Sequence, residues 1–298
     1  DQETKAILMY VEKLNDGRKF MEIAKEITPH KPIVLIKAGR GESGKKAVMS
    51  HTGSLAPDDV VFRSACKQAG IIVVDSIREF FNMACLFELG IYKPIQNLAI
   101  LTNAGGPAVI TSDLIDLSHS LSLATLSEET KDKLRKVLPP MAGVNNPVDI
   151  IGDALSTRYE SALDILEEEK DIEAIITILT PQMMTEVEAT AKLLIEHSKN
   201  KTIIPVFIGG PAVEKALPIL SSGKLINFNF PKDIIESLDN LAMGMKKWVT
   251  KNIDTDAKND GHTKPHSVSP SLKMLDYKTM VKYFEENKIA IEPVRSVV

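Results

Sequence analysis

The chain has 298 residues, 44% of them apolar and 26% charged, with a formal net charge of −4. That is enough length and apolar content for two domains with real cores, and the interspersed Lys and Glu leave no basic surface for nucleic acid or anionic lipid. No apolar run approaches the ~20 residues that span a bilayer, and Cys66 and Cys85 lack CxxC or CxxH spacing, which predicts a cytoplasmic chain with unpaired thiols, no metal site and no membrane or nucleic-acid partner.

The elements alternate. AILMYV (6–11) reads as a strand and DGRKFMEIAKEIT (16–28) as a helix before Pro29; PIVLIK (32–37) is the next strand, 58–70 a helix, IIVVD (71–75) a strand and 76–90 a helix. After YKPIQN (92–97) the alternation restarts with strand 98–102, a helix near 107–118, strand 122–127 and a helix near 128–138. PPMAGVNNPVDIIG reads as a long loop. A helix at 157–170, strand 174–180, a helix at 184–199, strand 203–210, a helix near 212–222, strand 226–230 and a helix at 231–250 complete the second unit. Short buried strands between amphipathic helices predict an α/β chain with two doubly wound parallel sheets. From about 251 the composition becomes polar with Pro and Gly and no periodicity, a linker over 251–270, and 271–298 begins a new helix and strand. DQETK at the start has neither an apolar signal core nor an initiator Met, so it reads as an internal point of a longer polypeptide.

The stretch KAGRGESGKKAVMSHTGS (37–54) admits three chemistries. Gly39, Gly41 and Gly44 fit a dinucleotide fingerprint, but the next strand-final acid, Asp75, lies 31 residues past Gly44 instead of about 20 past it, and only KKAVMS is left for the helix. Gly39 to Lys45 nearly fits a phosphate-binding P-loop, but Lys46 stands where a metal-binding hydroxyl is required. The third reading makes His51 a nucleophile. Strands 6–11 and 32–37, joined by one helix, are expected to lie parallel and adjacent, so Glu12 and the segment with His51 leave the same carboxyl edge. A carboxylate on one imidazole nitrogen fixes the tautomer and stabilises the cation formed when the other is attacked or phosphorylated. The bland alternative is a solvent-facing or structural histidine on a glycine-rich loop.

Together, Glu12 in YVEKLNDGRKF, the run KPIVLIKAGRGESGKKAVMSHTGSLA, TNAGGPAVI (102–110), NNPVDI (145–150) and IGGPAVEKA (208–216) resemble the NDP-forming (ADP-forming) acyl-CoA synthetases, relatives of succinyl-CoA synthetase. The resemblance covers residues 1–250 in order and implies two flavodoxin-like domains. Residues 1–93 would be a partial domain carrying the phosphohistidine loop and 94–250 a second, CoA-ligase domain, while 271–298 resembles the opening of an ATP-grasp domain. It further implies acid–CoA ligation with ATP through acyl-phosphate and phosphohistidine intermediates, His51 being the phosphorylated residue and Glu12 its orienting acid. Ser50, Thr52 and Gly53 then flank the phosphate on a loop whose glycines act as hinges.

TNAGGPAVI also carries a physical argument of its own. It leads from a strand into a helix through Gly105, Gly106 and Pro107, and exposed N–H groups at such a terminus favour an anion by about 0.3–2 kcal/mol per charge. Asn103, Ala104, Gly105 and Gly106 are therefore one wall of a phosphate site, unless this is an ordinary strand-to-helix turn. Asn146 and Asp149 either line the same crevice or cap the long loop. The resemblance implies ATP or ADP and Mg²⁺ in a downstream ATP-grasp domain, CoA on an upstream domain, and a homodimer or heterotetramer-like assembly. It also implies further strands upstream of 6–11, whose edge is otherwise exposed. Glu12 and the 103–106 turn belong to different α/β units, so their carboxyl edges are expected to open on one crevice. The alternative from another class is a non-catalytic or regulatory scaffold module in which His51 is idle.

Overall fold

The computed structural model describes residues 1–52 and 58–245, with the side chains of 51 and 52 outside that description. The side-chain roles expected for His51 and Thr52, the role of Gly53, and the segments 251–270 and 271–298 lie outside the described residues.

The first sheet is parallel, in the order β1 (Ile7–Val11), β2 (Ile33–Lys37), β3 (Ile72–Val74). β1 and β2 pair from Ile7 opposite Ile33 to Val11 opposite Lys37. Between them runs α1 (Gly17–Ile27), started by Asp16, whose carboxylate accepts from the Lys19 N–H at 2.9 Å. β2 leads into α2 (Glu42–Thr52) and α3 (Asp59–Gln68), and β3 into α4 (Ile77–Glu88). α4 opens on a capping box, in which the Ser76 hydroxyl accepts from the Glu79 N–H and the Glu79 carboxylate accepts from the Asp75 N–H, both at 3.1 Å.

The second sheet is also parallel, in the order β5-β4-β7-β8. Its elements are β4 (Asn97–Thr102), α5 (Gly105–Asp116), β5 (Ser122–Leu123), α6 (Glu128–Val137), β6 (Val148–Asp149), α7 (Ser156–Glu168), β7 (Ala174–Leu179), α8 (Val187–His197), β8 (Thr202–Phe207), a 3-10 turn at Gly210–Ala212, α9 (Ala216–Ser222) and α10 (Pro231–Met245). β4 has β7 on one side; on the other, β5 pairs its start and β6 its end. The strand order doubles back at β4 and β7, the arrangement of flavodoxin-like sheets.

Four expectations are corrected. Strand 122–127 shrinks to two residues and the loop 139–152 contains β6, because one side chain fills the ladder between them. Asn146 accepts from the Ile100 N–H at 2.9 Å and donates to the Leu98 and Ala124 carbonyls at 2.8 and 2.9 Å. Residues 226–230 form no strand. Pro205 of β8 has no N–H to give a neighbour, so the Asn227 side chain accepts from the Phe207 N–H at 2.7 Å and the Phe228 N–H donates to the Pro205 carbonyl at 3.0 Å. The stretch from Glu42 to Thr52, expected as a loop, is the helix α2. A Cβ on Gly44 would lie 3.2 Å from the Gly39 Cα, so this glycine lets the helix settle against the strand end.

The second sheet alternates strictly. Ala99, Leu101, Ile175, Ile203 and Phe207 face α7 and α8 through Tyr159, Leu163 and Leu194, while Leu98, Ile100, Ile176, Ile204 and Val206 face the other way. That second face shares one apolar cluster with Val34, Ile36, Ile72 and Val74 of the first sheet, through Met83 and Leu86 of α4 and Leu238 and Leu241 of α10. The opposite face of the first sheet packs Leu35 with Ala24 of α1 and Phe62 and Cys66 of α3, and burial pushes the Cys66 thiol up to about 11.

The contact between α10 and β3 is close enough to test. A Cβ on Gly244 would fall 2.1 Å from the Ile72 Cγ1. Helix propensity alone favours Ala over Gly by about 1 kcal/mol, but the clash should reverse the sign, so Gly244→Ala is expected to lower unfolding free energy by about 1–3 kcal/mol. Urea unfolding measures it. Adding Ile72→Ala should make the Gly244→Ala change favourable; no such coupling would show that α10 does not press on β3.

Candidate active site

Glu12 follows β1, and the Ala38 N–H donates to the Val11 carbonyl at 3.0 Å, so Glu12 and the exit from β2 stand level on one carboxyl edge. Tyr10, two residues earlier and hence on the same strand face, donates its hydroxyl to the Glu12 Oε1 at 3.3 Å. The Tyr10–Glu12 spacing was visible in the sequence; the bond between them was not. From β2 the chain turns at Gly39, φ +71°, and enters α2, which carries His51 in its last turn. Ser50 donates to the Lys46 carbonyl at 3.0 Å, within its own helix. The presence of α2 removes the short helix as a reason for rejecting a dinucleotide fingerprint, although Asp75 still lies 31 residues past Gly44; Lys46 in the metal-ligand position still excludes a P-loop.

Beside α2 lies a charge network with no sequence signature. Arg40 meets the Asp75 Oδ1 at 2.6 Å and the Asp59 Oδ2 at 3.4 Å; Arg63 meets Asp59 at 2.9 Å and also binds Asp75; Lys37 lies 3.8 Å from the Asp59 Oδ1. Burial pushes the Asp59 carboxyl up, but Arg63, Arg40 and Lys37 outweigh it and hold it below its ordinary value. Glu169 is held low as well, by the Thr130 hydroxyl and then the Ser127 N–H and hydroxyl, where it caps α6. Both shifts are downward, so the unfolded chain takes up these protons first, and the stability they contribute is full above about pH 4 and lost as pH falls through the lower folded values. The stability difference between the parent and Glu169→Gln in urea melts is therefore expected to shrink from pH 7 to pH 3; a constant difference would show that Glu169 acts through packing.

On the second sheet, the crevice at the reversal of strand order lies between the ends of β4 and β7. Asn103 is buried there, with both ends of its amide on Thr180: Nδ2 donates to the Thr180 carbonyl at 2.8 Å and Oδ1 accepts from the Thr180 N–H at 2.9 Å. Its side chain fastens the two strand ends. The Thr102 hydroxyl accepts from the Ala104 N–H at 3.0 Å. Ala104 starts α5 without a side-chain cap, and Gly106 faces open space. The Asp149 Oδ2 stands 3.1 Å from where a Gly105 Cβ would be, and its Oδ1 accepts from the Ile151 N–H at 2.9 Å. Ile151 has φ +58°, a conformation that costs a β-branched residue about 1–3 kcal/mol and that concentrates at functional sites. Of the two uncertain crevice residues, Asp149 is therefore at the start of α5, whereas Asn146 is spent in the ladder.

A further pair ties α4 to α10. Arg78, at the start of α4 and so at the carboxyl end of β3, binds the Asp233 Oδ2 at the start of α10 at 2.7 Å and lies over the Phe230 ring at 5.4 Å. Phe230, with Phe207 and Gly209, also borders a cleft of about 500 Å³ at the carboxyl end of β8. Arg78 and Phe230 thus link residues near the carboxyl ends of β3 and β8. Among the described residues, no cluster of three or more His, Cys, Asp or Glu is placed to hold a metal ion, and no helix is long and apolar enough to cross a membrane.

This is an α/β protein of two parallel sheets with polar residues at their carboxyl edges. Residues 1–87 match the succinyl-CoA ligase like flavodoxin domain and residues 98–248 the ligase-CoA domain, and the chain belongs to that succinyl-CoA ligase-like family. ADP-forming acetate–CoA ligase I of Archaeoglobus fulgidus is 38% identical over 258 residues, 85% of this chain and 37% of that protein. ADP-forming 4-hydroxybutyrate–CoA ligase of Nitrosopumilus maritimus is 32% identical over 241 residues, 80% of this chain and 34% of the relative. Among solved structures, the dinucleotide forming acetyl-coenzyme A synthetase 1 of Candidatus Korarchaeum cryptofilum, in complex with phosphate and ADP, superposes with a TM-score of 0.73 at 28% identity over 82% of this chain and 54% of that one. The chain thus spans between about a third and about half of the length of these relatives.

Proposed function

We propose that this chain is the phosphohistidine-bearing part of a cytoplasmic NDP-forming acyl-CoA synthetase, which interconverts a short-chain carboxylic or hydroxy acid, CoA and ATP with acyl-CoA, ADP and phosphate. The observation that carries the proposal is that Glu12 and the segment bearing His51 leave neighbouring parallel strands at one level of one carboxyl edge. In the acyl-CoA-consuming direction phosphate attacks the thioester, giving acyl phosphate and releasing CoA as its thiolate, which takes up a proton. The His51 imidazole then attacks phosphorus, the acid leaves as carboxylate, and the phosphoryl group passes from His51 to ADP. Glu12 is assigned to the imidazole nitrogen that is not phosphorylated. The uncapped start of α5, with Ala104, Gly105 and Gly106, is assigned to phosphate while it is off the histidine, and the second Asp149 oxygen bounds that space. Ser50, Thr52 and Gly53 belong to the histidine's own segment.

CoA is assigned to an upstream domain and ATP with Mg²⁺ to an ATP-grasp domain that 271–298 would begin; the described residues offer no Mg²⁺ ligand cluster. Mg²⁺, when bound with ATP, neutralises the transferring phosphates. The assembly is a homodimer or a heterotetramer-like complex. In the assembled enzyme, ATP labelled at the γ-position with Mg²⁺ should leave an acid-labile, base-stable label that His51→Asn abolishes. Label retained in His51→Asn, with turnover intact, would return the chain to the reading of a scaffold.

A further inference from the structure

The segment that carries His51 lies between Arg40, just past β2, and Asp59, the first residue of α3, and the same side chains hold both points. Arg40 reaches the Asp59 Oδ2 at 3.4 Å and, at 2.6 Å, the Oδ1 of Asp75 at the end of β3; Arg63, one turn into α3, binds the same oxygen of each acid. Two guanidinium groups and two carboxylates thus join residue 40 to residue 59. A tie between the ends of a loop removes the conformations in which those ends separate. The planar, pre-organised fork of Arg donors holds two carboxylates in a fixed geometry, which the flexible point charge of Lys does not.

The Asp59 Oδ1 is buried without a hydrogen-bond partner among the described residues, and the nearly buried Lys37, which donates to the Gly39 carbonyl at 3.4 Å and lies over the Phe62 ring, pairs with it at 3.8 Å.

We propose that Arg40, with Asp59, Arg63 and Asp75, is a positioning clamp that fixes both feet of the His51 segment on the sheet edge and so sets where the histidine is presented to its phosphoryl donor. The clamp rests on the reading of His51 as the phosphoryl carrier. None of its residues touches the reacting atoms. Its effect is on the fraction of time the histidine spends in a reactive position, which a misplacement of about 1 Å already reduces strongly.

The test uses the assembled enzyme with Arg40→Gln and, separately, Asp75→Asn, which removes the nearer partner of Arg40. Single-turnover labelling of His51 is expected to slow about 10-fold at saturating ATP, with the half-saturating ATP concentration unchanged. Amide exchange across residues 42–50 should quicken while β4, β7 and β8 keep parental protection. Labelling at the parental rate, or exchange that quickens equally in β4, β7 and β8, would overturn the clamp, the second result marking general destabilisation. If the parent takes no label on His51, the proposed function falls by itself, and exchange across 42–50 still decides: quickening supports a tie at the segment's base, and no change overturns it.

Discussion

Glu12→Gln is expected to slow formation of phosphohistidine by 10²–10⁴-fold while leaving the fold intact, an order of magnitude taken from the roughly 10⁴-fold loss when a Ser-His-Asp site loses its orienting carboxylate. The substitution keeps the size of the side chain and can keep the hydrogen bond from the Tyr10 hydroxyl, now 3.3 Å from the Glu12 carboxylate. What it removes is the negative charge that would stabilise an imidazole becoming cationic or phosphorylated. The phosphoenzyme should also decay faster. Rapid-quench labelling in the assembled enzyme measures both rates; an unchanged rate of label transfer would reduce Glu12 to the end of a strand.

Asn146→Ala is expected to cost about 2–5 kcal/mol of unfolding free energy, since it takes this partner from the Ile100 N–H and the Ala124 carbonyl and leaves the Leu98 carbonyl with the Ala124 N–H alone. Those groups lie between β5 and β6, where no strand backbone is available to replace the amide. Asn146→Asp should be no better, because its carboxylate can accept from Ile100 but sets negative charge against the Leu98 and Ala124 carbonyls. Urea unfolding checks both variants. If Asn146 served the crevice instead, Asn146→Ala would keep parental stability and lose phosphohistidine labelling.

These two residues mark how far the site could be read from the residue order. Glu12 was legible because a strand, one helix and a second strand force a parallel pair, and a parallel pair puts its exits on one edge. The turn at 103–106 was legible as a helix start for a similar local reason, the Gly-Gly-Pro after an apolar strand. Asn103 and Asn146 were not. Each carries the same amide, and whether it meets a ligand or a neighbouring backbone depends on which chain stands opposite: Thr180 for Asn103, Leu98, Ile100 and Ala124 for Asn146. α2 was missed because Gly44 and the following SHTGS argue locally against a helix, whereas the approach of Gly44 to Gly39 favours it only once the strand end is in place.

By itself the sequence determined the alternation of strands and helices, the parallel pairing, the places where strands end in polar residues, and the motifs that mark the family. All of these depend on periodicity and on residues near one another in the chain, where apolar spacing and turn chemistry act directly. Only the tertiary structure decided the ion pairs among Arg40, Asp59, Arg63 and Asp75, the tie between α4 and α10 through Arg78 and Asp233, and the seating of Gly244 on Ile72. Arg78 and Asp233 are 155 positions apart. A charge pair or a helix-to-strand contact at such separation leaves no periodic trace, because its partner is chosen by how the buried faces of two sheets share one apolar cluster and not by any local pattern.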